Sequence, residues 1–407
     1  MERDYRAHVL IFPYPTQGHI NPTLQFAKRL VSKGLKATLA TTIFIHKSTQ
    51  IEPGCVNGRA RCDELGFAEA GSTEAYLERL EAVGSRTLAE LIDRLAQSGH
   101  PVNCLVPLDV TTVTLPVMPA LEIPDIPSFC SDIGSYPAYL QLVLDQFKNV
   151  ESADWVPFNS FDKLEEQMVK WMEERCKAIA IGPTLPSMFL DKRVEGDENY
   201  SINLYKPDKV GYMKWLDTKA VGSVVYISFG SMAELTEKQM EELALGIKGC
   251  NKYYLWVVRE TEKKKLPAKS IEDMEDKGII VTWSKQIEVL AHEAVGCFVT
   301  HSGWNSTMEA LCLGVPMVCV PQWTDQPTNA KFVADVWGVG VRARVDDKGC
   351  VRREEIGFCI REVMEGEKSE EIKRNAKKWK AFAKEALEEG GSSDKNIEKF
   401  VASFVKP

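Results

Sequence analysis

The stretch from Cys297 to Val320 constrains the fold more than any other part of the chain. Cys297–Thr300 is a short apolar run suited to a strand, and His301-Ser302-Gly303 is a tight exit from it. Asn305 or Ser306 can then cap a helix that runs through Met308, Ala310 and Leu311 and stops at Gly314, ahead of Pro316. A second apolar run, Met317–Val320, follows at once. Strand, glycine turn, helix and buried strand in that order make a βαβ unit of a parallel sheet. A strand that turns through glycine into a helix start presents backbone N–H groups and the positive end of the helix dipole, which suits a phosphate. Glu309 stands one turn into the same helix on the side of Asn305 and Ser306, where a carboxylate can accept both hydroxyls of a ribose. Many α/β proteins have such turns, so this reading alone stays generic.

Length and charge narrow the classes. With 407 residues, 44% of them hydrophobic and 27% charged, the chain suits two globular domains with sizeable cores. A net charge of −8 argues against nucleic acid as a partner, and the basic run Lys263-Lys264-Lys265 is flanked by acids like a solvated loop. The 11 cysteines include no C-x2-C pair. Several (Cys297, Cys312, Cys319) sit in apolar settings, which reads as free thiols in a reducing compartment. The charged N-terminus runs straight into a strand, and no apolar stretch approaches the ~20 residues of a membrane span. A cytoplasmic, monomeric protein is the expectation.

In chain order, Ala7–Pro13 is a buried strand, followed by Y-P-T-Q-G-H-I-N-P, a helix from about Pro22 to Lys33 and a strand over Lys36–Thr42. This is how a doubly wound domain opens, but without G-x-G-x-x-G a dinucleotide cofactor is not expected. His19 follows Gly18 at the mouth of the first strand, where such sheets bind ligands. Gly54–Phe67 has no clear period and reads as irregular, Thr73–Ala96 as a long amphipathic helix and Val102–Val106 as a short strand. The chain then passes into a Pro- and Thr-rich, non-helical segment where a doubly wound domain would place a helix. Tyr136–Asn149 and Lys163–Arg175 read as helices around a strand at Trp155–Asn159, and Ala178–Ile181 leads into a Pro/Gly break. A polar linker reaches to about Lys209. Ser223–Phe229, Leu255–Arg259 and Ile279–Thr282 are strands of a second doubly wound domain, with Gly230 and Ser231 at the end of the first of them. Ala330–Trp337 is helical and Val339–Ala343 a strand, and Glu354–Met364 and Glu370–Glu389 are helices. Asp394 caps a last helix ending near Phe404. The division expected is 1–194, with a returning helix 394–407, against 210–393.

The spacing W-x2-Q, L-x-H, T-H-x-G-W-N-S-x2-E, G-V-P, D-Q from Trp283 to Gln326 resembles the nucleotide-sugar signature of plant secondary-product glycosyltransferases. These are family 1 enzymes that use UDP-sugars. One departure is Ser302, where the family usually has Cys. The resemblance implies a GT-B fold, two facing Rossmann-like doubly wound domains, the first shortened here. It implies that Trp283 stacks on uracil and Gln286 lies alongside the uridine. His301, Asn305 and Ser306 would hold the diphosphate in the turn at Gly303, and Glu309 the ribose. Trp304, Asp325 and Gln326 would meet the sugar hydroxyls, and a terminal Gln in this signature is associated with glucose. The F-G-S at Gly230-Ser231 matches the family as well, as does Q-G-H-x-N-P around its catalytic histidine, here His19. By the same comparison a block of a few dozen residues is absent between Val106 and Pro107. That block normally carries the Asp that orients the histidine, together with part of the acceptor wall. Asp109 is the nearest carboxylate and the candidate replacement; its plainer reading is a solvated loop acid.

These assignments imply an inverting transfer of glucose from UDP-glucose to a small hydrophobic carboxylate, phenol or terpenoid hydroxyl, with His19 as base. No D-x-D motif appears, so no metal or other cofactor is expected and the protein itself must neutralise the leaving diphosphate. Without the orienting Asp, acceptors already anionic at neutral pH lose least. The alternative is a catalytically impaired chain that binds UDP-glucose but does not transfer it. A sugar-nucleotide epimerase is disfavoured by the complete plant signature, and a dehydrogenase by the missing glycine fingerprint.

Overall fold

A computed structural model describes residues 5–48, 57–60, 67, 70–108, 121–132, 134–148, 150–200, 202, 204–208, 211–266 and 277–404. Its contacts divide the chain into two compact units. The first comprises Met1–Val117, Ile133–Tyr205 and Lys384–Pro407, and the second Met118–Asp132 and Lys206–Ala383.

The first unit is built on a parallel sheet in the order β3-β2-β1-β4, with β1 His8–Pro13, β2 Lys36–Thr42, β3 Asn57–Ala60 and β4 Cys104–Leu108. Val9, Leu10 and Ile11 are fully buried, as a strand covered on both faces requires. Two elements differ from the sequence expectation. A strand at Asn57–Ala60 lies within the stretch read as irregular; it pairs with β2 from Leu39↔Asn57 onward. Asn-Gly-Arg-Ala has no strand-forming pattern of its own, so its conformation comes from the neighbouring strand. β4 also continues through Pro107 and Leu108, opposite Phe12 and Pro13, because an edge strand tolerates a proline. A separate pair, β5 Val156–Phe158 and β6 Ala178–Ala180, is also parallel.

The first helix spans Gln17–Ser32 rather than starting at Pro22. Thr16 is the extended N-cap residue, and its carbonyl accepts from Ile20 N–H at 3.0 Å. Pro22 lies inside the helix and costs it one backbone bond. The flanking helices Pro137–Asp145 and Glu166–Glu173 are shorter than their apolar patterns suggest. The last helix is Ser392–Ala402, capped by Gly391 and not by Asp394. Asp394 instead sits in its first turn, takes the Gly390 N–H at 3.0 Å, and pairs with Lys33 and Arg193, each at 2.9 Å. Phe400 of this helix packs on Phe26 of the first helix, ring centres 5.7 Å apart.

The second unit carries a six-stranded parallel sheet, β12-β11-β10-β7-β8-β9. Its strands are β7 Val224–Ser228, β8 Tyr253–Val257, β9 Gly278–Val281, β10 Val295–Thr300, β11 Met317–Cys319 and β12 Gly340–Arg342. Tyr226 and Phe298 stack across β7 and β10 with centroids 5.1 Å apart, both fully buried. On one face the helices Glu237–Cys250 and Arg353–Glu365 pack closely because Gly246 has no side chain; a Cβ there would lie 2.8 Å from Ile356 Cβ. Glu242, itself buried, takes Arg353 in a fork, Nη2 to Oε1 at 2.8 Å and Nε to Oε2 at 3.0 Å. The helix expected at Ala330–Trp337 starts earlier, at Gln326 with Pro327 in its first turn, and ends in a wider π turn over Phe332–Val336.

Met118–Asp132 belongs to the second unit although it lies among first-unit residues in sequence. The buried Asp125 pairs with Arg342, and its carbonyl accepts from Thr328 Oγ1 at 2.7 Å. The return to the first unit begins at Lys384, ahead of the position 394 expected from sequence.

Candidate active site

The sheet of the second unit has one topological switch point. From β7 the chain proceeds to β8 and β9 on one side, and from β10 to β11 and β12 on the other. Ligands of open parallel sheets bind at the carboxyl ends of the strands flanking such a point. The two loops that leave there are Phe229-Gly230-Ser231 and His301-Ser302-Gly303.

Both loops are shaped around the His301 ring. Gly230 has φ +70°, and a Cβ on it would lie 2.8 Å from His301 Cε1. A Cβ on Gly303 would lie 2.6 Å from His301 Nε2. Glycine is therefore demanded at 230 by both conformation and space. Burial, then the positive charge of Arg259, pushes the His301 imidazole down to about 4. At neutral pH it is an uncharged ring that can donate one N–H to an anionic oxygen. Arg259 itself donates to the carbonyls of Ser231 and Ala233, which holds the Gly230 loop in place. The expected strand Leu255–Arg259 ends at Val257, and this puts Arg259 past the carboxyl end of β8.

The helix after the second loop is Trp304–Leu313. Its N-cap is Gly303, so Asn305 and Ser306 lie inside the first turn and neither is the cap residue expected. Gly303 supplies no capping oxygen, a geometry that favours an external anion at this helix start. Ser302 is buried with φ +64°, its N–H on Thr300 Oγ1 at 3.1 Å and its carbonyl accepting from Asn329 Nδ2 at 2.9 Å.

Three of the residues assigned to the nucleotide converge. Gln286 Nε2 donates to Ser306 Oγ at 2.9 Å and to Glu309 Oε2 at 2.7 Å. Tyr226 steadies the same amide, its hydroxyl donating to Gln286 Oε1 at 3.3 Å while contacting Ser284 Oγ at 3.0 Å. Glu309 and Ser306 are buried. Trp283 follows β9 with a half-buried ring, and its carbonyl accepts from Asp208 N–H at 3.0 Å. Asp208 also takes the Thr282 N–H at 2.7 Å, so this acid of the linker region fixes the backbone beside Trp283.

Asp325 and Gln326 lie just past β11. The Asp325 carboxylate accepts from Thr324 Oγ1 and Asn329 Nδ2, each at 2.6 Å. Burial raises its pKa, against the pull of Thr324, Asn329 and backbone amides that include that of Trp304. Gln326 is buried, and its Oε1 accepts the N–H groups of Gln322 at 2.9 Å and Trp323 at 3.1 Å. Its amide therefore shapes its own loop. The Trp304 ring lies 6.3 Å from that of Trp337.

In the first unit, His19 stands in the first turn of the helix Gln17–Ser32, directly after β1, and not in a loop. Tyr14 meets it edge to face at 5.4 Å. Gln17 beside it donates to Ile202 O at 2.9 Å and accepts from Leu204 N–H at 2.7 Å, tying the helix start to the linker region. Asp109 lies outside the described residues.

The chain is similar to known proteins along nearly its whole length. The model of the family described as "UDP-glucoronosyl and UDP-glucosyl transferase" matches residues 201–378. Mogroside I-E synthase of Siraitia grosvenorii is 41% identical, over 97% of this chain and 98% of the relative. UDP-glycosyltransferase 74F2 of Arabidopsis thaliana is 45% identical, over 98% of each chain. The chain belongs to the plant UDP-glycosyltransferases. The crystal structure of Os79 from O. sativa in complex with UDP superposes with a TM-score of 0.93 at 37% identity, over 98% of this chain and all of that one. The fold of this UDP-glycosyltransferase is thus GT-B, and its chemistry is glycosyl transfer from a UDP-sugar. Its alignment with the 74F2 enzyme runs over 442 positions, of which a 407-residue chain covered to 98% leaves about forty without a counterpart.

Sequence reasoning missed Tyr226, Ser284, Arg259 and Asp208. Each supports a neighbour in the site, and none stands in the signature except Ser284. Arg259, a lone cation just past a strand end, is the one that carried a visible signal.

Proposed function

We propose that this UDP-glycosyltransferase moves glucose from UDP-glucose, with inversion, onto a small hydrophobic acceptor, and that carboxylates are favoured over alcohols. The observation that carries the donor half is the Gln286–Ser306–Glu309 cluster beside the His301 turn, all within one unit. In this reading Glu309 accepts the ribose hydroxyls and Trp283 stacks on uracil. The helix start at Gly303, with Ser306, Asn305 and the neutral His301, takes the charge that builds on the departing diphosphate. No metal is invoked for that role. Trp304, Asp325 and Gln326 meet the sugar, and the terminal Gln favours glucose. Among the relatives, one is named a flavonol 7-O-beta-glucosyltransferase and another a crocetin glucosyltransferase. One Os79 structure is a complex with U2F and a trichothecene.

On the acceptor side, His19 is the base that removes the hydroxyl proton as the acceptor oxygen attacks the anomeric carbon, with Asp109 as the candidate partner. A carboxylate acceptor needs no such base. The test is a comparison of kcat/KM for paired acceptors of similar shape, one a carboxylic acid and one an alcohol. His19→Ala should lower alcohol transfer by about 10²–10⁴-fold and carboxylate transfer much less. Equal losses on both acceptors would contradict the role given to His19.

A further inference from the structure

The loop that carries Asp325 is held from outside the signature. Thr324, immediately before Asp325, has φ +56°, a conformation a β-branched residue adopts only where its surroundings impose it. What imposes it here is Ser128. The Ser128 hydroxyl accepts the Thr324 N–H at 2.7 Å, and the Ser128 N–H donates to the Thr324 carbonyl at 2.8 Å. Both backbone groups of the strained residue are thus taken by one partner. The constrained hydroxyl of Thr324 then donates to Asp325 Oδ1 and accepts the Asp325 N–H. Beside this pair Phe129 packs edge-on against Trp323, centroids 6.0 Å apart.

The other end of the same short segment is anchored independently. Asp125 closes a reciprocal cap with Glu122, accepting its N–H at 3.1 Å. It also pairs with Arg342, whose Nη2 donates to Pro124 O at 2.8 Å. Thr328, three residues after Asp325, donates to the Asp125 carbonyl. The segment Glu122–Ser131 is therefore a strap tied to Thr324 and Thr328, the residues that flank Asp325 and Gln326 in sequence. Asn329 in turn joins the Asp325 carboxylate to the Ser302 carbonyl of the turn before Gly303.

We propose that Ser128 is a positioning residue for the donor sugar: by holding Thr324 in its left-handed conformation it aims the Asp325 carboxylate, and so sets affinity for the sugar without affecting the nucleotide. This rests on the reading that Asp325 and Gln326 meet the sugar. Calorimetric titration of the full chain with UDP and, separately, with UDP-glucose tests it whether or not sugar is transferred. Ser128→Ala leaves the Thr324 amide without its acceptor, and should weaken UDP-glucose by about five- to tenfold while leaving UDP unchanged. Ser128→Thr, which keeps the hydroxyl, should recover most of that loss, and unchanged UDP binding reports that the variants are folded. Asp325→Ala is the reference. If it weakens UDP-glucose alone while Ser128→Ala changes neither ligand, or lowers both equally, the role of Ser128 is overturned and the donor reading stands. If Asp325→Ala leaves UDP-glucose binding intact, the donor reading fails and the proposal with it.

Discussion

A neutral His301 is a consequence of where its ring is buried, and it has a sign that can be measured. Its folded pKa is lowered from 6.5 to about 4, so the unfolded chain takes up this proton first as pH falls. The residue therefore subtracts stability progressively from about pH 6.5 down to about pH 4. His301→Gln should flatten that part of a Tm-against-pH curve relative to wild type; superimposable slopes would contradict the assignment. Glu309 offers a second residue-scale test. If its carboxylate accepts the ribose hydroxyls, Glu309→Gln removes a charged acceptor and should raise the KM for the UDP-sugar about tenfold or more, with kcat changed less. An unchanged KM would remove Glu309 from the ribose.

Among the elements, the loops at the switch point between β7 and β10 need glycine at 230 and 303, where a Cβ would meet the His301 ring. Gly230→Ala places a Cβ against the His301 ring and an L residue at φ +70°, a conformational cost of about 1–2 kcal/mol before the collision is counted. The variant should lose donor affinity by more than its drop in Tm implies, as a titration with UDP beside a melt would show. Buried parallel strands announce themselves in sequence, since Val9–Ile11, Val224–Ile227 and Cys297–Val299 are continuous apolar runs. The site turn was legible for the same reason, being a glycine exit between two such runs. What could not be read is what neighbours impose. Asn57–Ala60 is a strand only because β2 is beside it, and Pro22 lies inside a helix whose start is set by Thr16. Pro124 and Pro127 erase any period from the strap around Asp125, so nothing local in that segment shows that it packs beside Asp325.

For the whole molecule, the ion pair of the buried Glu242 with Arg353 makes a contribution to stability that acid removes. Arg353 holds the Glu242 carboxyl well below the usual carboxylate range, against the opposing effect of burial. A depressed carboxylate contributes stability that is complete above its unfolded pKa near 4.5 and is lost as pH falls through the folded value. Glu242→Gln should therefore lower Tm at pH 7, with the gap to wild type closing as pH is taken below about 4.5; a constant gap would contradict this. The central claim, however, is transfer by a chain whose alignment leaves about forty positions of a relative unmatched. It is tested most directly by mass-spectrometric detection of product from UDP-glucose and a mixed panel of planar carboxylates and phenols, wild type beside His19→Ala. The account predicts glucosylated product from wild type, chiefly glucose esters, with the phenol products lost in the variant. No product from a folded chain that still binds UDP would contradict it, and would mark the protein as a donor binder that no longer transfers sugar.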